Sequence, residues 1–70
     1  MNTHYAVETE WLTLPQVAQE LSVGYKRVRE WVNRKEDPLP SYLIDGNRKQ
    51  TRVYRPSLNE WLFRNSKEFR

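Results

Sequence analysis

Seventy residues with 12 Lys and Arg, 9 Asp and Glu and no cysteine allow one small domain of net charge +3, with no disulfides and no Cys-built zinc site. The core must come from aliphatic residues and from three Trp, four Tyr and two Phe. No apolar run reaches membrane-spanning length, and MNTHYAVETE lacks the basic and apolar parts of a signal peptide, so a soluble cytoplasmic protein is expected.

Residues 1–10 read as a flexible polar segment, residues 11–65 as the domain, and residues 66–70 as a frayed end. The first helix has a marked start. Thr13-Leu14-Pro15-Gln16 fits a capping box, Pro15 sits in the first turn where its missing N–H costs nothing, and Leu12 with Val17 forms a hydrophobic staple. Val17, Ala18 and Leu21 make one apolar face, which carries the helix to about Leu21. Ser22-Val23-Gly24 is a tight turn in which Val23 plugs the core and Gly24 occupies the N-cap of the second helix.

The second helix is expected from Tyr25 to about Arg34, with Val28, Trp31 and Val32 as its inward stripe. Trp31 is the large core residue of that stripe, and Trp31→Ala is expected to unfold so small a domain. Lys26, Glu30 and Asn33 then lie on the opposite face, flanked by Arg27 and Arg29. Arg and Lys suit guanine, Asn suits adenine and Glu suits cytosine, so this face carries the donors and acceptors that discriminate bases. A purely structural helix pairs its charges along its length, and at i, i+4 only Lys26 and Glu30 can pair here.

Lys35-Glu36-Asp37-Pro38-Leu39-Pro40 ends the helix in an extended connector. Ser41–Ile44 and Thr51–Arg55 read as the two strands of a hairpin, turning at Asp45-Gly46-Asn47 and carrying Asn47, Arg48, Lys49 and Gln50 at its tip. The third helix begins near residue 56, either with Pro56 in its first turn or with Ser57 and Glu60 as a capping box. Leu58, Trp61 and Leu62 form its buried stripe, while Phe63 lies off it and Phe69 falls in the tail.

Charge is blocked along the chain. Lys26, Arg27, Arg29, Arg34 and Lys35 face only Glu30 within residues 25–35, and Arg48, Lys49, Arg52 and Arg55 face no acid within residues 48–55. Either block alone is what a solvated face carries. Two blocks around a turn-rich hairpin point to two contacts on one polyanion. A helix of about three turns lined with cations fits a major groove, and a basic hairpin tip suits phosphates or a minor groove. No catalytic constellation is visible: His4 is the single histidine, and there is no phosphate-binding loop, no dinucleotide fingerprint and no metal-spaced ligand set. A non-enzyme without cofactor or metal is expected.

The run WLTLPQVAQELSV, the core V-R-E-W-V of the second helix, the exit PLP, the turn DGNR and the closing R-P-S-L-N-E-W-L span Trp11 to Leu62. In these motifs the chain resembles the excisionase family of phages and mobile elements, and more broadly the MerR-like winged-helix group. Gly24 stands where such proteins usually have Ser, and Ser57 where Asp is common. The resemblance implies an α+β winged helix-turn-helix, with three short helices and a two-stranded β-hairpin wing. It implies a DNA-bending architectural factor that binds repeated sites, associates cooperatively on them and directs a tyrosine integrase toward excision. Carried over by position, the recognition helix supplies Tyr25, Lys26, Arg27, Arg29, Glu30, Asn33 and Arg34, and the wing Asn47, Arg48, Lys49 and Arg52. Some members recruit integrase through a long C-terminal tail, where this chain has only a turn or two after Leu62. The alternative function is a small transcriptional regulator on the same scaffold. A protein-interaction module with an acidic partner is a third reading, and it predicts no salt-dependent affinity for duplex DNA.

Overall fold

The computed structural model describes residues 10–69; the expectations for the N-terminal segment, including His4, and for Arg70 lie outside the described residues. In chain order the elements are β1 (Trp11–Thr13), α1 (Leu14–Leu21), α2 (Tyr25–Val32), β2 (Tyr42–Leu43), β3 (Thr51–Tyr54) and α3 (Arg55–Arg64). The fold is α+β, with three helices and a three-stranded antiparallel sheet in the order β1-β3-β2. No described helix is long and apolar enough to cross a membrane.

The sheet corrects the expected two-stranded hairpin. Trp11, Leu12 and Thr13 pair with Tyr54, Val53 and Arg52, while Tyr42 and Leu43 pair with Arg52 and Thr51. Leu12 and Val53 face each other across the ladder, and both are buried. A strand of three residues carries too little alternation to be read from sequence, and its partner lies near the other end of the chain. The hairpin strands are also shorter than expected, ending at Leu43 and Tyr54 rather than Ile44 and Arg55.

The cap of α1 forms as its residues dictate. The Gln16 N–H donates to Thr13 Oγ1 (3.1 Å), and the Thr13 N–H donates to Gln16 Oε1 (2.8 Å). These two bonds satisfy donors that a bare helix start would leave exposed. The helix ends at Ser22, whose φ of 56° is left-handed, and the Val23 N–H donates to the Ala18 carbonyl (3.0 Å). Gly24, by contrast, has φ −71° and caps α2 with no side-chain bond. In this turn the left-handed position therefore falls on serine, which lacks glycine's freedom there.

Helix α2 stops at Val32, short of the expected Arg34. Asn33 ends it: the side-chain amide donates to the Arg29 carbonyl (2.9 Å), as does the backbone N–H (3.1 Å). The chain then doubles back, and the Leu39 N–H donates to the Trp31 carbonyl (3.0 Å). Helix α3 starts at Arg55, so Pro56 falls in its first turn and Ser57 does not cap it. The Arg55 N–H donates to the Glu10 carbonyl (2.6 Å), so the β1–β3 pairing extends into the helix start.

The core lies between helices and sheet and consists of Leu12, Leu14, Val17, Ala18, Val28, Leu39, Val53, Leu58 and Trp61, with Leu21, Val23, Trp31, Val32 and Leu62 packed around it. Leu39, from the Pro-flanked connector, is among the most deeply buried side chains, a role its extended context concealed. Trp61 is buried while Trp31 is only partly so, their ring centroids 5.3 Å apart.

Two ion pairs close the fold from outside. Arg55 holds Glu20 through paired bonds of 2.9 Å, tying α3 to the end of α1. Asp37, itself left-handed at φ 48°, accepts from Arg64 Nε and Nη2 (2.9 and 2.8 Å) and from Asn65 Nδ2 (2.8 Å), while its carbonyl accepts from Trp61 Nε1 (2.7 Å). The Arg64 hydrogen bonds, followed by that from Asn65, hold the Asp37 carboxyl down at about 2 against an ordinary 3.8. A carboxyl lowered on folding stabilises the native state above its unfolded value, and that contribution fades as pH falls through the folded value. Wild-type protein should therefore lose thermal stability between pH 3.8 and about 2, and Asp37→Asn should flatten that part of the curve. Asn tolerates the left-handed backbone, so the substitution tests the charge and not the turn. Thermal melts across that range check it; an unchanged profile in Asp37→Asn would assign the acid loss to another group.

Candidate nucleic-acid interface

Helix α2 buries Val28 and leaves Tyr25, Lys26, Arg27, Arg29 and Glu30 exposed, as the helical spacing requires. The loop facing it is ordered by its own backbone. Asp45 (φ 56°) and Gly46 (φ 69°) turn left-handed in succession, and the Asn47 N–H closes a short 3-10 turn on the Ile44 carbonyl (2.9 Å). A second 3-10 turn, Arg48–Gln50, follows, with Asn47 Oδ1 accepting from the Lys49 N–H (2.9 Å) and Thr51 Oγ1 donating to the Arg48 carbonyl (2.7 Å).

Between helix and hairpin lies an open cleft of about 660 Å³. From α2 and its C-cap it is lined by Tyr25, Arg29 and Asn33, and from the hairpin by Arg48, Lys49 and Arg52. Two blocks far apart in sequence thus meet in one concavity, and among the described residues no acidic side chain lines it. Four cations gathered around one cleft repel one another, and a bound anion relieves that repulsion while finding donors already in place. Arg29 also stacks over the Tyr25 ring (5.9 Å to its centroid), which restricts the guanidinium without spending its charge. Arg52, half-buried on the central strand, donates from Nη1 to the Thr51 carbonyl (3.0 Å).

The remaining expected residues are distributed differently. Lys26, Arg27 and Glu30 line a second, shallower depression of about 420 Å³ on another flank of α2, with Val23 and Gly24. Glu30 lies 3.7 Å from Arg27, at i, i+3, and not against its i, i+4 neighbour Lys26. Both partners are well exposed, so the pair contributes little and leaves Arg27 available. Asn33 spends one amide hydrogen on capping α2 and keeps the other, with Oδ1, for a partner. Arg34 turns away: it donates to Asn65 Oδ1 (3.3 Å), and its guanidinium lies 5.2 Å from the Trp61 ring centroid. Asn47 lends its side-chain oxygen to the loop backbone.

Sequence reasoning missed the hydroxyl and apolar lining of the cleft. Thr13, Ser41 and Thr51 add hydroxyls, and Leu14 and Leu43 add its apolar walls. Thr13 was legible only as a cap, because nothing local shows that the start of α1 opens beside the hairpin.

The chain matches no protein-family model, no curated protein and no solved structure.

Proposed function

We propose that the protein is a sequence-specific duplex-DNA-binding architectural factor on a winged helix-turn-helix scaffold, with α2 as recognition helix and the β2–β3 hairpin as wing. The carrying observation is the cleft that joins Tyr25, Arg29 and Asn33 to Arg48, Lys49 and Arg52 with no acid in its lining. One sugar-phosphate strand separates a major groove from the adjacent minor groove. A protein with a helix in the first and a hairpin in the second must have a cationic cleft between them to take that strand. Lys26, Arg27 and Glu30, on the other flank of α2, then meet base edges or the opposite strand.

Within that reading the biological role is a phage or mobile-element excisionase, which bends DNA at repeated sites and steers a tyrosine integrase. The motifs from Trp11 to Leu62 support it, and the part played is binding, not catalysis. Selection of ligands from a random duplex library, followed by footprinting, tests both levels. Direct repeats about one helical turn apart support the architectural role, and a lone palindrome supports a two-fold promoter regulator. Absence of enrichment and of salt-sensitive binding defeats the DNA reading.

Arg48→Ala or Lys49→Ala should weaken all duplexes alike and reduce the slope of log affinity against log salt by about one unit. Titrations at several salt concentrations measure it. An unchanged slope would place those side chains away from the phosphates.

A further inference from the structure

The hairpin carries three large apolar side chains in succession, Tyr42, Leu43 and Ile44, each more than two-fifths exposed. An exposed apolar run is a liability unless something uses it. Tyr42 packs edge-on against Trp11, with centroids 5.6 Å apart, and Leu43 lines the cationic cleft. Ile44 does neither, and it is the single apolar residue in the loop from residue 44 to residue 50. The two cations Arg48 and Lys49 share that loop.

We propose that Ile44 is a wedge that enters the minor groove and partly unstacks one base step, and that this is how the protein deforms its site. The proposal rests on the DNA reading above. Apolar side chains placed among cations are the chemistry by which minor-groove proteins kink a duplex: cations hold the phosphates, and the hydrocarbon replaces a neighbouring base at the opened step. A wedge must be stiff, since ordering it on contact would consume the gain. Ile44 meets this condition: its carbonyl is bonded to the Asn47 N–H, the two left-handed residues follow it directly, and its β-branched side chain is stiff at χ1. The step it opens should be pyrimidine–purine, TA or CA/TG, the steps that unstack most readily.

The test places 2-aminopurine at successive positions of a duplex selected from the random pool, with end-labels reporting the bend by energy transfer. Wild-type protein should raise the 2-aminopurine signal at one step beneath the wing and shorten the end-to-end distance. Ile44→Ser should abolish the rise and lessen the bend, Ile44→Met should retain both, and all three proteins should share one circular-dichroism spectrum. Arg48→Ala should lower affinity without moving the step at which the signal rises in saturated complex. A bound duplex with no step unstacked, or a rise that survives Ile44→Ser, overturns the wedge and leaves the DNA reading standing. No duplex binding by the wild type overturns both.

Discussion

Trp61→Ala should cost the domain about 3–5 kcal/mol, a large share of the stability available to a chain this small. The indole is buried, packs tilted against Trp31 with ring centroids 5.3 Å apart, and underlies the Arg34 guanidinium at 5.2 Å. Its Nε1 also holds the Asp37 carbonyl at 2.7 Å, so its removal loosens the connector from α2 to the sheet along with the core. Trp31→Ala should cost less, because Trp31 is only partly buried. Trp61→Phe keeps most of the ring and loses the hydrogen bond, so it should fall between Ala and the wild type. Urea unfolding reads the order directly, as a shift of midpoint at constant slope. A Trp31→Ala midpoint below that of Trp61→Ala would mean that α2, and not α3, supplies the larger aromatic share of the core.

Arg29→Ala should lower affinity for every duplex alike by roughly 1.5–3 kcal/mol, about tenfold to a hundredfold, and reduce the slope of log affinity against log salt by about one unit. Arg29 is the cation that α2 contributes to the cleft, and its guanidinium lies over the Tyr25 ring, 5.9 Å from the centroid. Arg34→Ala is the matched control, removing a cation from the same block of sequence. Because Arg34 is engaged with Asn65 and Trp61, its loss should appear in the unfolding midpoint and leave affinity nearly unchanged. Binding isotherms for the two variants on matched and mismatched duplexes separate the roles. A loss confined to the matched duplex would make Arg29 a reader of bases and not a phosphate clamp.

Both contrasts reflect what is local and what is not. The capping box at Thr13 and Gln16, Gly24 as the cap of α2, the inward stripe of Val28, Trp31 and Val32, and the buried pair Leu58 and Trp61 were all legible in the chain. Each depends on contacts within about one or two helical turns, and residue type and spacing decide those. The strand Trp11–Thr13 was not legible, since it exists only because Val53 and Tyr54 arrive beside it. Neither was the burial of Leu39 nor the Asp37 clasp on Arg64 and Asn65, both of which join the connector to distant elements.

The basic blocks divide along the same line. Sequence by itself determined which residues carry charge and which face of α2 is apolar, because side-chain chemistry and the 3.6-residue period settle both. Only the tertiary structure decided that Arg29, Arg48, Lys49 and Arg52 share one cleft while Arg34 is drawn off to α3. Convergence of side chains from separate elements depends on how the helices and the hairpin pack. That packing is set by the shared core of Leu12, Val28, Val53 and Trp61, whose long-range contacts no local pattern in the chain encodes.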